Sequence, residues 1–240
     1  EPLRRPLMDM SDPDLDKLLN KTEFRRKINR AKRLGNVTFE RITSKADFEA
    51  MLGDSAMMYD FRQGARFNLN QFEGEPVKPA FFVELFEKNL LHVTVLKVNN
   101  QIVAALVAAT SRGWVHMHGL NSYSPFGANF YSPGLVHFIM AGQLMAQEDV
   151  EVFDLTPGGD SYKERLATRH DEVNELVISN SLFYLTRRKL RKRYFNYLEK
   201  KGKWPLGTMV AYKKKMYLFK ARLRKFKKQG PIKAITEKIK

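Results

Sequence analysis

The sequence predicts a mixed α/β fold, a mostly antiparallel sheet flanked by helices, with a basic helical C-terminal extension. Three observations lead there. First, alternating apolar runs over 91–98, 102–110 and 114–122 are separated only by Asn99-Asn100 and Arg112-Gly113. That spacing makes an antiparallel meander. Second, the pattern after the meander switches from helical to strand periods and back, which adds a crossover and mixes the sheet. Third, charge divides along the chain. Its 240 residues carry a net +16, from 42 Lys and Arg against 26 Asp and Glu. Residues 187–240 hold 21 of those basic residues and only two acids, Glu199 and Glu237. The first 186 residues are therefore near neutral, and the charge belongs to an appendage.

The elements follow in order. Residues 12–34 read as a helix, capped by Ser11 or Asp12, with Asp14 and Asp16 in its first turn and Gly35 at its end. Its surface carries Lys21, Arg25, Arg26, Lys27, Arg30, Lys32 and Arg33. Residues 37–42 alternate as a short strand. Residues 46–62 predict a helix with Phe48, Met51, Leu52, Met58 and Tyr59 inward. A loop covers 63–77, and Pro79 opens a helix through Asn89. Beyond the meander, 123–131 is a loop rich in Gly and Pro. A helix then starts at Ser132-Pro133 and runs to about Gln147. Residues 150–155 predict a strand, 160–167 a helix and 172–178 a last strand. The resulting division is an N-terminal basic helix over 1–35, an α/β domain over 36–181 and a basic amphipathic tail over 182–240.

Composition narrows the chemistry. There is no cysteine, which excludes disulfides, thiolate catalysis and iron–sulfur clusters. Residues 1–12 offer acids and prolines where a signal peptide has a basic start and an apolar core. The longest uncharged run lies between Arg112 and Glu148, and its prolines, glycines, asparagines and histidines argue against a membrane span. In the tail, Tyr212, Met216, Phe219, Leu223 and Phe226 are spaced 4, 3, 4 and 3, one stripe of a helix. Phe183, Leu190, Tyr194 and Tyr197 make a second stripe, and 202–207 separates the two. Such helices suit an anionic membrane surface, or they pack on the domain or on another subunit. RNA is the remaining partner for residues 187–240.

Short motifs supply the candidate site. These are His118-Gly119-Leu120-Asn121, Tyr131-Ser132-Pro133-Gly134, and Phe153-Asp154-Leu155 followed by Gly158-Gly159-Asp160-Ser161-Tyr162-Lys163. Their order resembles the second half of a GNAT acyltransferase domain of the CelD type and Fem type, over roughly residues 20–180. The resemblance implies a GNAT-like fold and acyl transfer from acyl-CoA to an amine or hydroxyl acceptor, in polysaccharide or cell-envelope metabolism. The loop at Asn129 to Gly134 departs from the family's usual pyrophosphate loop, because its leading residue and first glycine differ. Aminoacyl-tRNA, the donor of Fem-type relatives, is the alternative. A non-catalytic scaffold bound to a membrane through the tail is the other. The location expected is the cytoplasm, at the inner membrane surface if the tail binds lipid.

Roles follow for single residues. Ser132 suits an N-cap and Pro133 the first helical position. The N–H groups of Gly134, Leu135 and Val136 would then meet donor phosphates, with Asn129 and Gly159 beside them. Asp154 ends an apolar strand, where it either caps the glycine turn or enters a cleft as a base. His118 alternates with His116 on one face. It is either a hydrogen-bonded strand histidine or the group that deprotonates an amine. No third ligand stands at metal spacing beside the pair, so no metal is expected. Tyr162 is the candidate proton donor to a departing thiolate, and Lys163 the cation for a substrate phosphate or an oxyanion. Tyr59 and Arg62, in a loop over 59–64, would contact a sugar or acidic acceptor.

Overall fold

The structure of the chain is a computed structural model. It describes residues 2–67, 70–73, 75, 77–125, 128–158, 160–174 and 176–200. The chain falls into two compact units, one of residues 1–62 with 71–175, the other of 63–70 with 176–240.

The meander forms where its alternation places it. Strands β3 (Leu91–Val98), β4 (Gln101–Ser111) and β5 (Trp114–Tyr123) pair antiparallel. Asn99 and Asn100 both take positive φ, 50° and 63°, as a two-residue hairpin turn of matching twist requires. Strand β2 (Val37–Arg41) joins the edge at β3. On the other side β5 pairs in parallel with β6 (Val152–Asp154).

Two strands complete a seven-stranded sheet in the order β2-β3-β4-β5-β6-β1-β7. Strand β7 is Arg169–Asn174, three residues earlier than the last strand expected. Strand β1 is Pro2–Asp9, a segment expected to lie within an N-terminal basic helix. It sits between β6 and β7, antiparallel to both. Pro6 lacks a donor there, but its carbonyl still accepts the Leu155 N–H at 3.2 Å. The expected helix over 12–34 is two helices, α1 (Leu15–Leu19) and α2 (Thr22–Lys32).

Helices cover both faces. α1, α2, α6 (Pro133–Met145) and α7 (Ser161–Leu166) lie on one face, burying Leu15, Leu19, Phe24, Phe138, Ile139, Met145 and Leu166 against Met8, Val115 and Phe153. α3 (Lys45–Phe67) and α4 (Val77–Glu87) lie on the other, where Phe48, Met51 and Leu52 meet Val93, Val95, Val107 and Leu120. Ser44 caps α3 by accepting the Asp47 N–H at 3.1 Å, an N-cap to N3 bond. The helix expected over 46–62 runs on to Phe67, so the segment 59–64 that carries Tyr59 and Arg62 is helical and not the loop given for those two residues. α5 is the single turn Ala128–Tyr131, inside the expected loop. In the second unit α8 spans Leu182–Lys200. The stripe over 212–226 and the break at 202–207 lie outside the described residues.

Candidate active site

The site is where β5 and β6 part. Their parallel register covers only Trp114–Val152, Val115–Phe153 and His116–Asp154. β5 then continues to Tyr123, pairing with β4 alone. Among the described residues no strand pairs with the N–H and C=O groups of that stretch that face away from β4, and a wedge opens there.

A bulge shapes the wedge. Ala108 pairs with Gly119 and Ala109 with His116, so Met117 and His118 have no partner on β4. The expected alternation of His116 and His118 is therefore interrupted, because the extra residues bend β5 locally. Gly119 takes φ 137°, and a Cβ there would stand 2.2 Å from the carbonyl oxygen of Val107. Only glycine allows β4 and β5 this close. The side chain of His118 lies outside the described residues, as do the side chain of Asn129 and all of Gly159.

Asp154 is the centre of a polar cluster at the vertex. It is 2% exposed. Its Oδ2 accepts from Arg5 Nη1 at 3.0 Å and from His116 Nδ1 at 3.0 Å. Its Oδ1 accepts the Thr156 N–H at 2.7 Å. Both expectations for this carboxylate thus meet in one residue, since it caps the following turn and also faces a histidine. Arg5 in turn donates to Asp171 through Nε and Nη2, at 2.8 and 2.5 Å. That pairing raises the Arg5 pKa and lowers the Asp171 pKa. Trp114 stacks on His116, with centroids 5.9 Å apart, and carries the Arg5 guanidinium 5.2 Å above its ring.

Lys163 is placed differently from the expectation. It is 5% exposed, and its Nζ donates to the Thr156 hydroxyl at 2.9 Å and carbonyl at 3.2 Å. Asp160 approaches at 3.7 Å. Burial lowers its pKa, against the opposing pull of Asp160. The ammonium is thus committed to the loop behind β6.

Tyr162 stacks on Phe138, centroids 5.6 Å apart and planes 14° off parallel. Burial pushes its phenol up to about 12, and Asp160 adds to this. Arg62 lies near enough to oppose the shift. Its Nη2 donates to the Asn121 carbonyl at 2.7 Å, and its guanidinium stands 4.8 Å from the Tyr123 ring and 5.5 Å from Tyr59. Tyr59, Arg62, Tyr123 and Tyr162 therefore gather at the mouth of the wedge.

The start of α6 differs from the expected cap. Ser132 takes φ 57° and makes no side-chain cap. α5 ends directly before it, and one left-handed residue joins the two helices. Its hydroxyl accepts from Lys27 Nζ at 2.9 Å. The N–H groups of Leu135 and Val136 return to the Ser132 carbonyl at 2.9 and 3.0 Å. Of the three N–H groups expected for phosphate, Gly134 is left. Two cations stand nearby. Lys27 stands at Ser132, and Arg30 donates to the Phe130 carbonyl at 3.2 Å.

Sequence reasoning did not single out Arg5, His116, Lys27 or Arg30, which the structure places around the wedge and the start of α6. The basic face of α2 was visible, but its place beside α5 and α6 was not. A second concavity, of about 650 Å³, lies by Arg41, His92, Arg112 and Glu148, toward the opposite end of β5 from Tyr123. Glu148 in its wall stands 2.6 Å from Arg41 and 2.9 Å from His92.

The family model for the acetyltransferase (GNAT) domain matches residues 20–164, more than half of the chain. The chain belongs to the GNAT acetyltransferase family. The GNAT assignment agrees with a mixed, mostly antiparallel sheet flanked by helices. No curated protein matches the sequence. Among solved structures, this GNAT chain is similar to a conserved protein of unknown function from Bacteroides thetaiotaomicron. Identity is 16% over 71% of this chain and 57% of that one, with TM-score 0.49. It is also similar to L-PGS from Bacillus licheniformis, at 19% identity over 65% of this chain and 45% of that one, TM-score 0.44. For FemX the values are 10%, 66%, 54% and 0.48. The chain spans about half the length of these structures.

Proposed function

We propose that this GNAT domain moves an acyl group from acyl-CoA to an amine, with a hydroxyl as the lesser acceptor. One observation carries the reading, the wedge that opens after the His116–Asp154 pair. A thioester arm laid along β5 finds unpaired backbone groups there, in the manner of an added strand. A β5 N–H aimed at the carbonyl oxygen stabilises the charge that develops on it. Tyr162, kept protonated by burial, stands on the other wall as the proton donor to the leaving thiolate. Lys27 and Arg30 supply the positive charge for the donor's phosphates beside α6.

The acceptor enters past Tyr59, Arg62 and Tyr123. Aromatic rings beside one guanidinium suit a polar amine such as an amino sugar, and cell-envelope polysaccharide is the pathway class this favours. The location we propose is the cytoplasm, with α8 at the inner membrane surface. Its Phe183 is 78% exposed and Leu190 59%, beside Arg187, Lys189 and Arg193.

The test is native mass spectrometry of the protein as purified, with thermal shifts in acetyl-CoA and longer acyl-CoA. A retained acyl-CoA, or a melting temperature that rises with its concentration, is the expected result. If CoA thioesters leave the protein unchanged and tRNA binds in a salt-dependent way, lost on truncation after Asn180, the donor is aminoacyl-tRNA instead.

A further inference from the structure

We infer that His116, with Asp154 as its positioning residue, is the base that takes the proton from the acceptor in acyl transfer. This rests on the acyl-transfer reading of the wedge. His116 and Asp154 form the last parallel pair before the strands part, so the imidazole stands at the vertex of the wedge. A carboxylate only accepts, so the 3.0 Å contact places a proton on His116 Nδ1. The lone pair of the neutral ring is then on Nε2, which has no partner among the described residues. Trp114 stacked on the ring and Asp154 at Nδ1 fix its orientation.

Asp154 suits positioning better than proton transfer. It is 2% exposed, and its oxygens already accept from Arg5, His116 and Thr156. The charged groups around His116 are Asp154 on β6, Arg5 on β1 behind it and Asp171 on β7 beyond. Arg5 holds Asp154 as the acceptor of the Nδ1 proton. The lone pair of Nε2 takes one proton from the acceptor's ammonium and passes it to solvent. The freed amine attacks the thioester carbon, so a C–N bond forms and the C–S bond breaks. The nitrogen's second proton goes to the thiolate sulfur through Tyr162, which gives one proton and regains one. The products are an amide, a free thiol and one released proton.

Two measurements test this. The first is peptide mapping after diethyl pyrocarbonate labelling, with and without acetyl-CoA. His116 is expected to be labelled and then protected at least 5-fold by acetyl-CoA. Acetyl-CoA that binds without protecting His116 overturns the inference and leaves the acyl-transfer reading standing. Failure to bind any CoA thioester overturns both. The second is acetyl transfer to an aminoglycoside and polyamine panel across pH. His116→Gln is expected to lower kcat about 100-fold or more and to abolish the acidic limb of the profile. Imidazole added to His116→Ala is expected to restore part of the rate. Asp154→Asn is expected to lower kcat about 10- to 100-fold with the KM for acetyl-CoA little changed, the fold being checked by circular dichroism. If His118→Gln removes the limb and His116→Gln keeps it, the base is His118. A panel without turnover while acetyl-CoA protects His116 leaves labelling as the deciding readout.

Discussion

The ammonium of Lys163 closes on Thr156, donating to its hydroxyl at 2.9 Å and to its carbonyl at 3.2 Å. Thr156 has φ 61°, a conformation that β-branched residues resist. The lysine thus holds a strained residue two positions after Asp154. Lys163→Met should cost about 2 kcal/mol, because two buried acceptors lose their donor. Chemical denaturation measures that loss. Donor affinity should change less than kcat, because Tyr162 is the neighbour of Lys163 on α7. A variant with wild-type stability and kcat sinks this assignment.

Gly119 offers a sharper backbone test. Gly119→Ala places a methyl 2.2 Å from the Val107 carbonyl oxygen at φ 137°. The expected cost exceeds about 2 kcal/mol, from strain and contact together. Donor binding should fall as the bulge that shapes the wedge is lost. Calorimetry of acetyl-CoA binding beside a urea melt separates the two effects.

His137 makes the fold acid-sensitive. It is a buried residue of α6, with Nε2 2.7 Å from the Thr94 hydroxyl on β3. Burial lowers its pKa to about 3, and burial also lowers that of His92. An unfolded histidine titrates near pH 6.5. Between about pH 6.5 and 3 the unfolded chain therefore holds more protons than the folded one. Stability rises with pH through that window and is lost as pH falls through it. Melting temperatures from pH 4 to 8 should show this slope, and His137→Phe should flatten part of it.

The cations beside α6 should act on binding rather than chemistry. Lys27→Glu with Arg30→Glu is expected to raise the KM for acyl-CoA about 10-fold or more, with kcat little changed. The effect should shrink in high salt, because both charges are near the surface. An unchanged KM places the phosphates elsewhere.

For α8 the readout is vesicle sedimentation. Pelleting with phosphatidylglycerol vesicles and not with phosphatidylcholine is expected. Phe183→Ser with Leu190→Ser should lower the bound fraction several-fold. Equal binding of both variants and lipids leaves the helix without a lipid role.

The meander was legible because both its signals are local. Period-two alternation marks the strands, and Asn99-Asn100 marks a turn whose two residues both need positive φ. β1 was hidden. The segment reads as part of an N-terminal basic helix over 1–35, because two prolines in eight residues suppress the signal of a strand inside a sheet, yet that is where it lies. Tyr162 was found through a motif and Arg62 through its place at the end of the helix expected over 46–62, which continues to Phe67. The His116–Asp154 pair needed the β5–β6 register, and the bulge needed that of β4 and β5. A registry between distant strands leaves no mark in either strand alone. Ser132 misled because Ser-Pro-Gly looks like a capped helix start, while the turn of α5 before it forces a left-handed residue.

The position of β1 sets an order of events during synthesis. Arg5 is 149 residues from Asp154 and 166 from Asp171, and all three must meet before the buried carboxylate is neutralised. The first strand leaves the ribosome long before either neighbour exists. It must wait, unpaired, while β2 to β5 assemble without it. Contacts of such separation are slow to form. The vertex that holds His116 is thus among the last parts of the sheet to close.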